Sequence, residues 1–93
     1  MRRRLLQSKA FVRTARRLVK KFPDVPPLLH ATLELLAEDA FRPILKTHKL
    51  KGELRGSWAC SAGYDLRIVF EFTEHDGAEA ILLQSLGTHD EVY

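Results

Sequence analysis

The chain has 93 residues and a formal net charge of +3, so we expect a single small domain over residues 1–93. Its one cysteine, Cys60, cannot form an internal disulfide, and no segment is long and apolar enough to be a signal peptide or a membrane span. These features exclude a disulfide-stabilised secreted scaffold and an integral membrane protein, and they predict a cytoplasmic location.

Positive charge is concentrated at the start of the chain, whereas the segment after Phe70 is acidic. The first twenty-two residues contain no acidic residue and nine basic ones, which are Arg2, Arg3, Arg4, Lys9, Arg13, Arg16, Arg17, Lys20 and Lys21. Such clustering favours a polyanionic partner, either a nucleic acid or an acidic protein. The alternative is a solvated helix face without a binding role.

Residues 1–7 are interpreted as a first β-strand, and a helix is predicted directly after it. Ser8 is suited to cap this helix, which runs to about Lys21 with its basic residues opposite an apolar stripe. The stripe consists of Phe11, Val12, Ala15, Leu18, Val19 and Phe22.

A second helix is predicted after Pro23, which ends the first one. Residues 24–27 are interpreted as a turn, and their two adjacent prolines suit the opening of a helix. This helix is expected to run through Leu28 to about Asp39. The sequence therefore places both amphipathic helices in the first half of the chain, directly after the first strand.

The second half of the chain has a β pattern. Residues 44–54 are interpreted as a loop or short strand that carries His48, Lys49 and Lys51. Strands are predicted at residues 56–62, 64–73 and 79–86.

Asp76-Gly77 is a strong signal for a two-residue hairpin turn between the last two strands. That register predicts one apolar face, made of Ile68, Phe70, Phe72, Ile81 and Leu83, for the helices to cover. The opposite face would carry Asp65, Arg67, Val69, Glu71, Leu82, Gln84 and Leu86. Because Glu74 then lies opposite Glu79, a three-residue loop with a β-bulge stays open as an alternative.

The last seven residues place His89, Asp90, Glu91 and Tyr93 directly after an apolar strand. Histidine can accept or donate a proton near neutral pH, and tyrosine can stack on a base or bind a phosphate. These side chains are suited to bind a phosphodiester and to transfer protons during its cleavage. The alternative is that His89 only caps the strand and Tyr93 packs against the core.

Three segments together resemble toxins of the RelE/ParE superfamily, and within it the YafQ-like, RelE/StbE-type mRNA interferases of type II toxin-antitoxin systems. They are His-Lys-Leu-Lys-Gly at 48–52, Tyr-Asp-Leu-Arg-Ile-Val-Phe at 64–70, and Leu-Gly-Thr-His at 86–89 running on to Tyr93. The resemblance covers nearly the whole chain. It implies an α+β fold with two N-terminal helices on one face of a small antiparallel sheet, and a ribosome-dependent mRNA endonuclease that a cognate antitoxin neutralises.

The resemblance also implies the site. His48, Asp65, His89 and Tyr93 fall where YafQ-type toxins carry functional groups. The RelE branch uses basic residues and a C-terminal tyrosine, which points to Lys49, Lys51, Arg67 and Tyr93. The chain departs from the YafQ pattern at Ser61, where a second histidine is expected, and at Leu66, where an aromatic residue is expected. The Ser61 difference leaves open how the acid and base roles are divided.

The chemistry that this resemblance implies requires no metal ion or other cofactor. RNA supplies its 2′-hydroxyl as the nucleophile, so the protein must remove that proton, stabilise the phosphorane and protonate the departing 5′-oxygen. His48 is the candidate base and His89 the candidate acid, with Asp65 orienting a histidine or acting as base itself. Arg67, with Lys49 or Lys51, would neutralise the phosphate in the ribosomal A site.

Two other functions remain open at this point. A ParE-like inhibitor of DNA gyrase shares the fold but has no use for His48 and His89, and an inactive homologue would serve only as a binding partner. Individual residues also have structural interpretations, since Arg67 can form an ion pair with Asp65 or Glu71. His30, His75 and Cys60 are interpreted as structural residues.

Overall fold

The computed structural model describes residues 2–63 and 65–88, apart from the side chain of Glu53. Tyr64, His89 and Tyr93 therefore lie outside the described residues. The elements are β1 (Arg4–Gln7), α1 (Lys9–Lys21), α2 (Val25–Glu38), β2 (His48–Lys49), β3 (Trp58–Ala62), β4 (Leu66–His75) and β5 (Ala78–Thr88), with short 3₁₀ helices at Pro43–Leu45 and Gly52–Leu54. The α+β fold expected from the sequence is confirmed.

The boundaries of α1 are the predicted ones. The Ser8 side chain accepts a hydrogen bond of 3.1 Å from the amide of Phe11, and the helix ends at Lys21 before Pro23. The predicted turn at residues 24–27 is wrong, because α2 already begins at Val25. Both prolines fit in its first turn, since the amides there have no partner within the helix.

Within the described residues, no helix is long and apolar enough to cross a membrane.

The five strands form one sheet in the order β1-β5-β4-β3-β2. All pairs are antiparallel except β1 with β5, which run parallel, so the expectation of an antiparallel sheet holds for four of the five strands. The exception has a topological cause. No hairpin joins β1 to β5, and the long intervening chain can return β5 in either direction.

The β4–β5 hairpin turns at Asp76-Gly77, as predicted, and both turn residues have positive φ angles of 53° and 79°. The predicted register holds as far as the pair Phe70 and Leu83. A β-bulge then makes Gln84 an extra residue, so that Val69 pairs with Ser85 and every later pair is shifted by one. The bulge thus lies within the strands and not at the turn.

This shift corrects the predicted position of Leu86. Leu86 pairs with Ile68 and is buried in the core, whereas an unbroken register would place it on the opposite face. The core lies between the two helices and one face of the sheet. It includes Phe11, Leu18, Leu29 and Leu36 from the helices and Cys60, Ile68, Phe70, Ile81, Leu83 and Leu86 from the strands.

Candidate active site

The face of the sheet opposite the helices, called the open face below, brings the candidate residues of β2 and β4 together. His48 pairs with Ala59, Ala59 with Val69, and Val69 with Ser85, so these four residues form one row across the sheet. The neighbouring row consists of Ser61, Arg67 and Gly87. Directly paired residues direct their side chains to the same face, so His48 and Arg67 lie on the open face in adjacent rows.

The spacing between His48 and Arg67 suits a phosphodiester. Their Cα atoms lie two strand intervals apart across the sheet and two residues apart along a strand, which corresponds to roughly 12 Å. Each of the two long side chains can span part of this distance. Ala59 and Ser61 lie on β3 between them, and Ala59 is fully buried. Two small residues of β3, Ala59 and Ser61, therefore separate the imidazole of His48 from the guanidinium of Arg67.

Arg67 is half-buried, and its Nη1 atom donates a hydrogen bond of 3.1 Å to the carbonyl of Leu66. No carboxylate of residues 2–63 and 65–88, Glu53 left aside, forms an ion pair with it, so the structural alternative of a bond to Asp65 or Glu71 is not found there. A guanidinium has five N–H donors in a planar fork. Arg67 thus has further donors for an anionic ligand, and none of the described carboxylates neutralises its charge.

His48 is exposed at the edge of the sheet, and its Nδ1 atom lies 3.0 Å from the carbonyl oxygen of Lys46. A carbonyl oxygen only accepts hydrogen bonds, so Nδ1 must carry the proton. In this tautomer Nε2 is the nitrogen that can accept a proton, as a general base must. Lys46, whose carbonyl oxygen makes this contact, has a left-handed backbone conformation with φ of 51°.

Strand pairing does not place either candidate lysine on the open face with Arg67. Lys49 pairs with Trp58, whose row belongs to the helix-covered face, and the Lys49 Nζ atom lies 5.4 Å from the Trp58 ring centroid. Lys51 is exposed just before the 3₁₀ helix Gly52–Leu54. Asp65 is exposed in the turn that leads into β4, two residues before Arg67.

The predicted residues His89 and Tyr93 lie outside the described part of the chain. The last described residue, Thr88, pairs with Leu66. Strand β5 therefore ends at the same end of β4 as Asp65 and Arg67, and His89 follows Thr88 directly in the sequence.

The sequence did not identify a polar link on the open face between Ser57 and Gln84. Ser57 is 8% exposed, and its hydroxyl donates a hydrogen bond of 2.7 Å to Oε1 of Gln84. The carbonyl of Gln84 accepts a second bond, of 3.0 Å, from the hydroxyl of Ser8. The unfavourable pair of Glu74 and Glu79 indicates a possible bulge near the hairpin turn. No local feature of the sequence indicates a bulge at Gln84.

Cys60 is fully buried, and burial raises the pKa of its thiol to about 12, while the nearby charge of Arg67 acts in the opposite direction. The thiol is therefore protonated at physiological pH and is not available as a nucleophile. The interpretation of Cys60 as a small core residue agrees with this environment.

Comparisons with known proteins identify the family to which this chain belongs. The family model described as the bacterial toxin of type II toxin-antitoxin system, YafQ, matches residues 3–93. A search of curated protein sequences finds no significant match.

Solved toxin structures share the fold across almost the whole chain. YafQ from Escherichia coli BL21(DE3) is 17% identical with a TM-score of 0.79, and the alignment covers 98% of each chain. The E. coli DinJ-YafQ toxin-antitoxin complex matches at 18% identity and a TM-score of 0.77, covering 100% of this chain and 99% of that one. A metal-bound toxin from Helicobacter pylori is 30% identical with a TM-score of 0.77 and full coverage of both chains. The protein thus belongs to the YafQ family of bacterial type II toxin-antitoxin toxins.

Proposed function

We propose that the protein is a ribosome-dependent mRNA endonuclease that inhibits translation and is neutralised by a cognate antitoxin. The observation that supports this function is the juxtaposition of His48 and Arg67 on the open face. A module that inhibits another protein by binding has no need for a base and a guanidinium in adjacent rows of the same sheet face. A phosphodiester needs both.

In this mechanism, Nε2 of His48 removes the proton from the 2′-hydroxyl, which then attacks the adjacent phosphorus. Arg67 stabilises the negative charge that develops on the phosphorane oxygens. His89 donates a proton to the departing 5′-oxygen, Asp65 orients an imidazole, and Tyr93 binds the phosphate or stacks on a base. The products are a 2′,3′-cyclic phosphate and a free 5′-hydroxyl, and no group outside the chain is consumed.

The proposed site is shallow, which favours a requirement for the ribosome. His48 and Asp65 are exposed, so two of the groups proposed for proton transfer lie at the protein surface. A protein with such a site does little to orient a free RNA strand. The ribosomal A site would hold the mRNA and present it to the open face, and the toxin would therefore act in the cytoplasm.

An acidic antitoxin and ribosomal RNA both suit the charge of α1. Arg13 and Arg16 are exposed on this helix and, with Lys9, line a hollow of about 440 Å³. E. coli YafQ has been crystallised with its antitoxin DinJ, which supports a protein partner for this chain as well. We expect the antitoxin to bind α1 or to cover the open face.

Mapping of mRNA ends after brief induction of the protein alone tests this function. Growth arrest with in-frame cuts in translated mRNA is expected, and purified protein should cut mRNA on ribosomes far faster than naked RNA. Efficient cleavage without ribosomes would contradict the ribosome dependence. Arrest with gyrase trapped on DNA and intact mRNA would instead support the ParE-like alternative, and absence of arrest would indicate an inactive homologue.

A further inference from the structure

Three aromatic rings form a cluster on the helix-covered side of the sheet, away from His48 and Arg67. Phe41, Trp58 and Phe72 are called the aromatic cluster below. The Phe41 ring stacks on Phe72 with centroids 5.8 Å apart and an interplanar angle of 22°. Trp58 lies edge-on to both, 5.4 Å from each centroid, at angles of 80° and 78°.

Phe41 is 54% exposed although it contacts both of the other rings. Its position is held by the backbone, because its amide donates a hydrogen bond of 3.0 Å to Oδ1 of Asp39. A single exposed apolar side chain is ordinary on a protein surface. A fixed ring that is supported by two further rings is instead a platform for stacking.

Two cations flank the aromatic cluster. The guanidinium of Arg3 lies 5.2 Å from the Phe72 centroid, and the Lys49 ammonium lies 5.4 Å from the Trp58 centroid. Arg3 also contacts Glu79 at 3.6 Å, whereas Lys49 has no ion pair with the other described carboxylates, Glu53 left aside. Aromatic faces beside lysine and arginine match the alternating bases and phosphates of single-stranded RNA.

Two hollows meet at Trp58. One, of about 230 Å³, is lined by Arg3, Phe41, Trp58 and Phe72 among others. The other, of about 400 Å³, is lined by Lys49, Arg55, Ser57 and Trp58 among others. A continuous cationic and aromatic surface therefore extends from the β2 edge to Phe41.

This surface is connected to the candidate active site by β2. His48 and Lys49 are consecutive in this edge strand, so their side chains point to opposite faces of the sheet. An RNA strand that contacts His48 on the open face can pass around the β2 edge and meet Lys49 and then Trp58.

We propose that the aromatic cluster stacks a base of the RNA strand bound at the open face, with Lys49 contacting the phosphate between the two sites. This inference rests on the proposed endonuclease function, since it assigns the cluster to the same strand that is cut. RNA is the occupant that fits both features of this surface, because its bases match the rings and its phosphates match Arg3 and Lys49, and because β2 connects the surface to His48.

Intrinsic fluorescence tests this proposal directly, because Trp58 is the only tryptophan of the chain. The purified protein is titrated with a fully 2′-O-methylated single-stranded oligonucleotide, which cannot be cleaved since its 2′-oxygens are blocked. Stacking predicts saturable quenching of Trp58. Phe41→Ala should raise the Kd by about fivefold to a hundredfold, whereas Phe41→Tyr should bind like the parent protein.

The control variant is Ile44→Ala, because Ile44 is 70% exposed in the same segment and lies outside the aromatic cluster. Its Kd should not change. Heparin serves as a polyanion without bases, and its binding should be independent of Phe41. Equal affinity of Phe41→Ala and the parent protein for the oligonucleotide would overturn the proposal. So would a loss of antitoxin binding in Phe41→Ala with RNA binding unchanged, because the cluster would then be a protein-docking site.

These experiments distinguish a failure of the stacking proposal from a failure of the proposed endonuclease function. If the parent protein cuts mRNA on ribosomes but Phe41→Ala binds the oligonucleotide normally, only the stacking site is wrong. If Phe41→Ala loses oligonucleotide binding while the parent protein cleaves no RNA, the stacking site stands and the endonuclease function is wrong.

Discussion

The Ser57 hydroxyl and the Gln84 side chain are joined by a 2.7 Å hydrogen bond that spans strand β4. Gln84 is the extra residue of the β5 bulge, and Ser57 immediately precedes β3. The bond therefore connects the bulge to a strand that β5 does not touch. It stabilises the register that buries Leu86 and pairs Gly87 with Arg67.

A double-mutant cycle measures how much this hydrogen bond contributes to the free energy of unfolding. Ser57→Ala and Gln84→Ala should each lower the free energy of unfolding by about 1 kcal/mol, because each leaves a polar partner unsatisfied. The coupling between them should be about 0.5–1.5 kcal/mol in urea denaturation. Ser85→Ala, on the same face, is the control and should have a smaller effect. Additive effects would show that the bond does not hold the bulge.

Arg67→Ala should reduce mRNA cleavage on ribosomes by about 10²–10³-fold, because a preorganised charge on the phosphorane is lost. Arg67→Lys should recover part of the rate, since lysine keeps the charge but not the planar fork. Arg4 lies on the same face in β1, so Arg4→Ala is the matched control for loss of one positive charge. Equal losses in the two alanine variants would indicate a general charge effect instead of a role for Arg67 at the phosphate.

His48→Ala should lower the cleavage rate by about 10²–10⁴-fold while the free energy of unfolding changes by less than about 0.5 kcal/mol. The side chain is exposed, so its removal leaves the core intact. His30→Ala provides the comparison, because His30 is an exposed histidine on α2. Full activity of His48→Ala would remove this residue from the mechanism and leave Asp65 as the candidate base.

His89→Ala should abolish toxicity while the antitoxin still binds. A proton donor contributes to the rate and not to the stability, so the melting temperature should stay close to that of the parent protein. Growth after induction, cleavage on ribosomes and antitoxin affinity are measured together. An active His89→Ala variant would show that another group is the acid, and Arg67 and Tyr93 would then be the main candidates for the catalytic groups.

The buried thiol of Cys60 predicts a loss of stability at high pH. Its folded-state pKa of about 12 exceeds the ordinary value of 9.0, so above pH 9 the unfolded chain loses a proton that the folded protein keeps. This group then lowers the free energy of unfolding by roughly 1.4 kcal/mol per pH unit between those values. Urea unfolding at about pH 8 and pH 10 checks this. Cys60→Ala should show a shallower pH dependence, and identical slopes would contradict the prediction.

Several parts of this protein are determined by short stretches of sequence. Ser8 followed by an apolar stripe specifies α1, because the cap and the periodicity act within a few residues of each other. Asp76-Gly77 specifies the hairpin turn, because both positions require a positive φ. The His48, Arg67 and C-terminal motifs also pointed to the toxin family that the full-length comparison shows.

Tertiary structure alone decided which of the candidate residues face one another. The bulge at Gln84 depends on bonds to Ser8 and Ser57, which are distant in the chain, so no local pattern predicted that Leu86 turns into the core. The side on which Lys49 lies was likewise set by its pairing with Trp58 across β2 and β3. A strand's side chains alternate with a period of two, and therefore a single long-range pairing determines which of them share a face.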